Sequence, residues 1–417
     1  WNGMYSTLKS SRIIINQCSE GGIDYGNFAT KCMAEVLAAY NCALIADMFG
    51  DAPCSQAALV DENGSPVYLT PKMDKQEEIY TQAMQYLDDA IADLQKEDLI
   101  DPGAQDLLYQ GDAEKWLKLA YGLKARYTMH LLKRSANKDA DMEKVLEYVD
   151  NSFESAEEQA AFDVYDANNI NPLYGFFVAR AGLGASESMR SKLAEYNDPR
   201  LSRAFITKQG ASGKEQAPGT ADNAVYAPNG SPEQGTSKYG TSLFMYSISA
   251  PTLLLSYHEL KFLEAEALCR LGRDAKSALK DAVVAGLLNA ENSFSVSRKE
   301  LGKTLINPAS SITDTEAESY FDNTVEAKYT AEPLKTTMIQ KYFALWGASG
   351  EATESYNDVR RMKGLGENFI ELKNPNSFPL RCPYGNSDTT TNAEVKAAYG
   401  NGQYVYSENV WWAGGSR

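Results

Sequence analysis

The sequence predicts a mainly α fold, a scaffold of paired helices interrupted by long irregular loops. Three observations carry this reading. Apolar residues recur at helical spacing over long stretches. Helices follow one another across short turns with Ala at the contacts. The segments between the pairs are dense in Gly, Asn, Ser, Pro and Tyr, and strand propensity is thin and local.

Taken in order, the stretch ALIADMFGDAPCSQAALVDENG (43–64) is helical to Phe49, then opens at Gly50, Asp51 and Pro53 into a polar loop. Asp47 and Asp51 are therefore either catalytic carboxylates or the end of a scaffold helix whose loop builds surface. EEIYTQAMQYLDDAIADL carries one apolar stripe: Ile79, Ala83, Tyr86/Leu87, Ala90/Ile91 and Leu94. Asp74 stands where its N-cap is expected. The helix from Asp112 starts behind Gly111, shows Trp116, Leu119/Ala120, Leu123, Tyr127 and Leu131 on one face, and ends in Lys and Arg as the helix dipole favours.

A third helix over 252–272 is followed almost at once by DAKSALKDAVVAGLL. Helix, short turn, helix is the pattern of a tetratricopeptide-like hairpin. In QKYFALWGASGEATESYNDVRRMKG, Tyr342, Phe343 and Trp346 fit a core stripe, and Asp358, Arg360 and Arg361 fit an ion-pair tie between helices. Long non-helical stretches cover 154–185, 207–250 and 373–409. Loops of that length in compact domains are functional or disordered. No linker composition divides the chain, so one domain over 1–417 is expected.

An apolar fraction of 43% with 23% charged residues supports a sizeable core. No stretch approaches the ~18 uninterrupted apolar residues of a membrane span. A net charge of −16 argues against nucleic acid or anionic lipid as the main partner. Tyrosine is in excess, 25 against 14 Phe and 5 Trp, and Tyr couples a flat apolar face to a hydroxyl, which suits recognition of polar ligands. Cys18, Cys32, Cys42, Cys54, Cys269 and Cys382 lack metal-ligand spacing and read as free small hydrophobes. The chain opens at Trp1 without an initiator Met or signal peptide, and reads as a trimmed fragment whose targeting segment is out of view.

Catalytic signatures are thin. His130 and His258 each sit among apolar residues inside a helix, as packed or capping side chains. No G-x-S-x-G elbow, H-E-x-x-H, Walker A loop or G-x-G-x-x-G is present. The stretch 210–216 resembles a phosphate loop only superficially, since Lys214 is followed by Glu215. Chemistry on His, Cys or zinc is disfavoured, whereas a glycosidase needs only two carboxylates and 56 are available. Asp163, Asp166, Asn168, Asn169 and Asn171 concentrate oxygen ligands, but Ile170 stands where an EF-hand ligand should fall, and a polar loop with Asx turns is the better reading.

These segments together resemble the SusD/RagB family, the outer-membrane nutrient-binding lipoproteins of Bacteroidetes. ALIADMFGDAPCSQA is similar to the family's helix followed by an F/Y-G-D-x-P-x-S-x-A turn. GDAEKWLKLAYGLKARYTMHL resembles its G-D-x-x-x-W helix, here with Trp116, Lys118, Leu123 and Arg126. NDPRL at 197–201 resembles its D-P-R-L turn, and YHELKFLEAEALCRLG its E-x-x-F-L-x-A-E-A helix, through Glu259, Phe262, Leu263, Ala265, Glu266 and Ala267. IQKYFALWG with YNDVRRMKG, PLRCPYGNSDTTTNAEV and VWWAGGSR complete the series. Cys54 and Cys382 depart from the aromatic or aliphatic residues more usual there.

The resemblance implies tetratricopeptide-like helix pairs with long irregular loops on one side. It further implies a surface-exposed outer-membrane lipoprotein, anchored through an N-terminal Cys some tens of residues before Trp1. Such a protein is a lid on a SusC-like TonB-dependent barrel and captures glycan, or in a few members peptide, without catalysis, cofactor or metal. Asp47 and Asp51 then end and cap a scaffold helix. Sugar recognition requires exposed aromatic planes and amide or carboxylate partners for hydroxyls. The loop positions that fit are Tyr68, Tyr165, Asn168, Asn169, Tyr174, Tyr226 and Tyr239, with Trp411 and Trp412 expected to be packed.

Overall fold

The computed structural model describes residues 1–166, 168–180, 183–207, 217–219, 224–230, 238–374, 376–399 and 404–416. The stretch 210–216, with its phosphate-loop likeness, lies outside them. The chain is mainly helical and groups into two compact units. The first comprises Trp1–Phe153, Asn357–Asn368 and Ser377–Arg417; the second comprises Glu154–Tyr356 and Phe369–Asn376.

In the first unit, α1 (Asn2–Cys18), α2 (Phe28–Phe49), α3 (Gln76–Asp93), α4 (Ala113–His130) and α5 (Lys138–Asp150) pack pairwise in sequence, α1 on α2, α2 on α3 and α4 on α5. The expected stripes are the buried faces: Ile79, Ala83, Leu87 and Ala90 on α3, and Trp116, Leu119, Ala120, Leu123 and Tyr127 on α4. Leu131 departs from its stripe. The chain tightens into a 3-10 turn over Leu131–Arg134, which rotates the next position inward, and Leu132 is buried instead. Asp74 is not the cap of α3. Lys75 is the N-cap, with Glu78 accepting from its backbone N–H at 3.0 Å, while Asp74 reaches back across the loop to the N–H groups of Cys54 (2.8 Å) and Ser55 (2.7 Å).

α2 is long and apolar enough to cross a membrane by length and composition, yet 72% of its apolar window is buried within the protein, as a core helix requires. It stops at Gly50 because the chain there takes φ 75° and ψ −127°, accessible to glycine and closed to L side chains. The two aspartates at this corner are fully engaged. Asp51 accepts from the backbone N–H of Gln76 and the ammonium of Lys75, both at 2.9 Å. Asp47, 2% exposed, accepts from Tyr80 Oη, from Trp412 Nε1 at 3.0 Å and from Asn357 Nδ2 at 3.3 Å. Arg360 donates to the Asp47 carbonyl at 2.6 Å, so the expected tie between helices is made by Arg360, whereas Arg361 pairs with Asp358 within its own helix at 2.7 Å. These are structural ties.

The second unit begins with β1 (Ala160–Phe162), α6 (Pro172–Ala179) and α7 (Glu187–Glu195). β2 (Phe205–Ile206), β3 (Thr241–Ser242) and β4 (Thr252–Leu255) follow, and then α8 (Tyr257–Arg270), α9 (Lys276–Leu301), α10 (Asp314–Tyr320), α11 (Glu326–Ala331) and α12 (Pro333–Ala344). β1 pairs antiparallel with β4, and β2 with β3. The helix expected from 252 therefore starts late. Thr252–Leu255 is extended against β1, and Ser256 caps α8 by accepting from Glu259 N–H at 3.0 Å. α8 and α9 form the expected hairpin, and α12 packs on both. Gly286 admits that close approach, since a Cβ there would lie 2.8 Å from Ala344 Cβ.

α13 (Ala352–Leu365) belongs to the first unit from Asn357, and α14 (Asn386–Thr391) and α15 (Ala393–Tyr399) complete that unit. Trp412 is buried as expected; Trp411 is half-buried, with the Arg134 guanidinium 5.0 Å from its ring centroid.

Candidate ligand-binding cleft

The second unit contains a recess of about 860 Å³, within the size range of small-ligand sites. Its walls are one face of α7, one continuous stripe along α11 and α12, residues Pro228 and Asn229, and the segment from Phe369 to Lys373. The α7 wall follows from spacing: Ser188, Lys192 and Tyr196 recur every four residues, as do Glu187, Ser191 and Glu195, so two adjacent rows share a helix face. The opposite wall runs Lys328, Glu332, Lys335, Thr336, Ile339 and Tyr342/Phe343, polar at its start and apolar at its end.

Helix-end geometry fixes these walls. Ser186 caps α7, its hydroxyl accepting from Met189 N–H, and also donates to Asn229 Oδ1 at 2.9 Å, which holds the 228–229 turn against the helix. Asp198 and Arg200 lock the end of α7 by a bidentate pair (2.8 and 2.6 Å), and Arg200 donates to the Phe343 carbonyl on α12 at 2.8 Å.

Eight charged residues line the cleft, and most are paired. Lys335 meets Glu332 at 2.8 Å, Lys373 meets Glu371, and Glu187 is held by Arg190 at 2.6 Å. Lys192 and Lys328 differ. The Lys192 ammonium donates to Ser188 Oγ at 2.7 Å, and burial pushes it below the usual amine range, with Glu371 opposing that shift. The Lys328 ammonium lies 4.3 Å from the Tyr196 ring centroid. Burial, reinforced by Glu195 and Glu332, pushes the Tyr196 phenol up to about 12. Half-buried Tyr342 and Phe369 add aromatic surface. Flat apolar faces beside fixed donors and acceptors are what a polar ring needs.

None of the seven expected ligand residues lines this cleft. Tyr68 is 44% exposed on the loop after α2, in the first unit. Tyr165, Asn168 and Asn169 share one turn of the second unit: Asp166 accepts from the N–H groups of Asn168 and Asn169 at 2.7 Å, and Tyr165 Oη is 2.6 Å from Thr252 Oγ1. Asn168 and Asn169 are exposed. Asn171, part of the same oxygen-rich stretch, is buried as the N-cap of α6 and donates to the carbonyls of Ala250 (2.8 Å) and Ala348 (3.0 Å), a tie between loops.

Tyr174 donates to Glu300 Oε1 at 3.3 Å. Tyr226 is half-buried, its ring on Phe205 at 5.3 Å with Arg190 on it at 5.4 Å, adjacent to the cleft wall. Tyr239, two residues before β3, is only 5% exposed, so its ring is not a free stacking plane. The residues missed had a signal: the stripe from Lys328 to Tyr342 is legible at helical spacing once the helix boundaries are known.

The histidines do not contribute a base here. His130 is buried beside Tyr80 (2.9 Å) and His258 is buried 3.1 Å from Glu351. A mainly helical scaffold with a recessed, aromatic and ion-paired cleft defines a protein built to hold a ligand. The chain belongs to the SusD-like family, whose description is starch-binding and associating with the outer membrane, and the match spans residues 1–384.

The chain is similar to a SusD/RagB family protein from Bacteroides thetaiotaomicron. They share 67% identity at a TM-score of 0.95, over 100% of this chain and 87% of the other. It shares its fold with a chitin-binding protein (22% identity, TM-score 0.72, 99% and 87% covered). The same holds for a SusD homolog from Bacteroides fragilis (20% identity, TM-score 0.69, 99% and 89% covered). No curated protein matches.

Proposed function

We propose that this protein captures oligo- or polysaccharide at the outer-membrane surface and delivers it, without cleaving it, to a TonB-dependent barrel on which it sits as a lid. The observation that carries the reading is the cleft itself, about 860 Å³ with Tyr342 and Phe369 beside fixed charged and hydroxyl groups, in a member of a family described as starch-binding. The chitin-binding relative of the same fold fits that ligand class. A lipid anchor preceding Trp1 would hold the protein at the surface, and a large interface with the barrel would survive moderate salt better than a purely electrostatic one.

The test is a binding panel of starch, chitin and acidic oligosaccharides against the purified chain, with peptides as a second class and chain length of the glycan followed for a day. Binding of a glycan that remains intact supports the proposal. Binding of peptides alone, or product whose formation is lost on mutating an Asp or Glu pair, contradicts it. Purification from native membranes with a barrel supports the delivery step; purification with no barrel contradicts it.

A further inference from the structure

Within the cleft the lysines fall into two kinds. Lys335 and Lys373 each end on a carboxylate, whereas Lys192 ends on a neutral hydroxyl and Lys328 on an aromatic face. Neither Lys192 nor Lys328 is in an ion pair among the described residues. Both adjoin the same ring: Lys192 stands one helical turn before Tyr196 on α7, and Lys328 lies on the Tyr196 ring. Glu371, Glu195 and Glu332 act on this corner from a distance without bonding either lysine, so the two half-buried ammonium groups keep donors that an anion entering the recess can take.

We propose that Lys192 and Lys328 form the subsite for an anionic substituent, so that the glycan taken by this cleft is an acidic one, carrying a uronate carboxylate or a sulfate ester. The inference rests on the glycan-binding reading above. The paired lysines stay outside the subsite because their charge is already compensated. The apolar end of the cleft, at Ile339, Tyr342 and Phe369, is left for the C–H face of the sugar ring. Burial pushes the Lys192 amine below its usual range and an anion placed against it pushes it back up, so binding and protonation support each other. The strongly negative protein repels polyanions elsewhere on its surface, which makes a local cationic subsite the condition for taking an acidic chain at all.

The test compares matched ligands by calorimetry: a polygalacturonate oligosaccharide, the same oligosaccharide after carboxyl reduction, and a sulfated galactan oligosaccharide with its desulfated form. The expected result is that an acidic form binds at least about tenfold tighter than its neutral counterpart, and that the pair showing the gap identifies carboxylate or sulfate. Lys192→Gln and Lys328→Gln should each reduce that acidic preference by about three- to tenfold. Lys303→Gln, the same loss of charge on an exposed turn outside the cleft, should leave it unchanged.

Equal affinity for acidic and neutral forms, or a preference that survives both lysine substitutions, overturns the proposal while leaving glycan binding intact. Failure of every glycan to bind overturns the functional reading and this inference with it. Circular dichroism and melting of each variant separate misfolding from loss of the subsite, and binding to folded Lys328→Gln decides the matter should Lys192→Gln not fold.

Discussion

In the first unit the carboxylate of Asp47 faces Tyr80, Trp412 and Asn357, while the guanidinium of Arg12 ends on the carbonyls of Cys54 and Ala57. In the second unit Lys192 ends on a serine hydroxyl and Lys328 on a ring, in an open recess of about 860 Å³. The first unit's own recess beside Trp411 is about 500 Å³, and its arginine, Arg134, already donates to the carbonyls of Trp411 and Gly415. Polar groups that saturate one another fasten the chain together. Polar groups that end on weaker partners in a cleft are available to a ligand. On the proposed reading, that difference, more than residue type, separates scaffold from site.

The largest effect should come from breaking a saturated group in the first unit. Trp116 is 2% exposed and donates from Nε1 to Asp106 at 2.8 Å, so Trp116→Ala should cost about 3–5 kcal/mol of stability in denaturant titrations. Asp47→Ala should follow at roughly 2–4 kcal/mol, because buried donors on Tyr80 and Trp412 lose their acceptor. If either variant keeps wild-type stability but loses ligand, the first unit is a site and the contrast fails.

In the second unit the order should reverse. Tyr342→Ala removes an aromatic face from the cleft and should weaken glycan binding by about three- to tenfold, the size of one stacking contact, with a smaller loss of stability than Trp116→Ala.

A pH experiment sharpens the same comparison. Burial raises the carboxyl of Glu35 on α2 to about 7, with Lys31 opposing, so the folded state holds a proton that the unfolded chain releases near pH 4. With the folded value raised, this contribution to stability is complete below about pH 4 and is lost as pH rises through about 7. Glu35→Gln should therefore flatten the fall in melting temperature between pH 5 and 8. An unchanged slope would mean that Glu35 is solvated.

The smallest effect is expected at Tyr174, whose hydroxyl makes a 3.3 Å contact to Glu300 at the surface. Tyr174→Ala should move stability by no more than about 0.5 kcal/mol. Its binding readout is the informative one: a loss there with none at Tyr342 would move the ligand to the loop face bearing Tyr165, Asn168 and Asn169.

Helix order was legible because the stripes of α3 and α4 repeat at 3.6 residues and local spacing alone fixes them. Two boundaries were not. Thr252–Leu255 pairs with β1, a partner some ninety residues earlier, and Asp74 serves the Cys54–Ser55 backbone across a loop, so both depend on distant chain. The candidate cleft was not legible for a related reason. Loops rich in Tyr and Asn attract attention by composition, yet Tyr239 is buried, and Asn171 spends its amide on Ala250 and Ala348. Most of the cleft residues sit on helices, where Lys192 and Lys328 look like ordinary solvated charges. Only the fold reveals that two of its lysines lack the carboxylates their neighbours have.

The most direct test of the central claim is a crystal structure of the full chain with a bound acidic oligosaccharide identified by the panel. The account predicts sugar in the second unit's cleft, its ring against Tyr342 or Phe369 and its anionic group within hydrogen-bond distance of Lys192 or Lys328. Sugar bound instead at exposed Tyr68, or on the turn of Asn168 and Asn169 with the cleft empty, would contradict it.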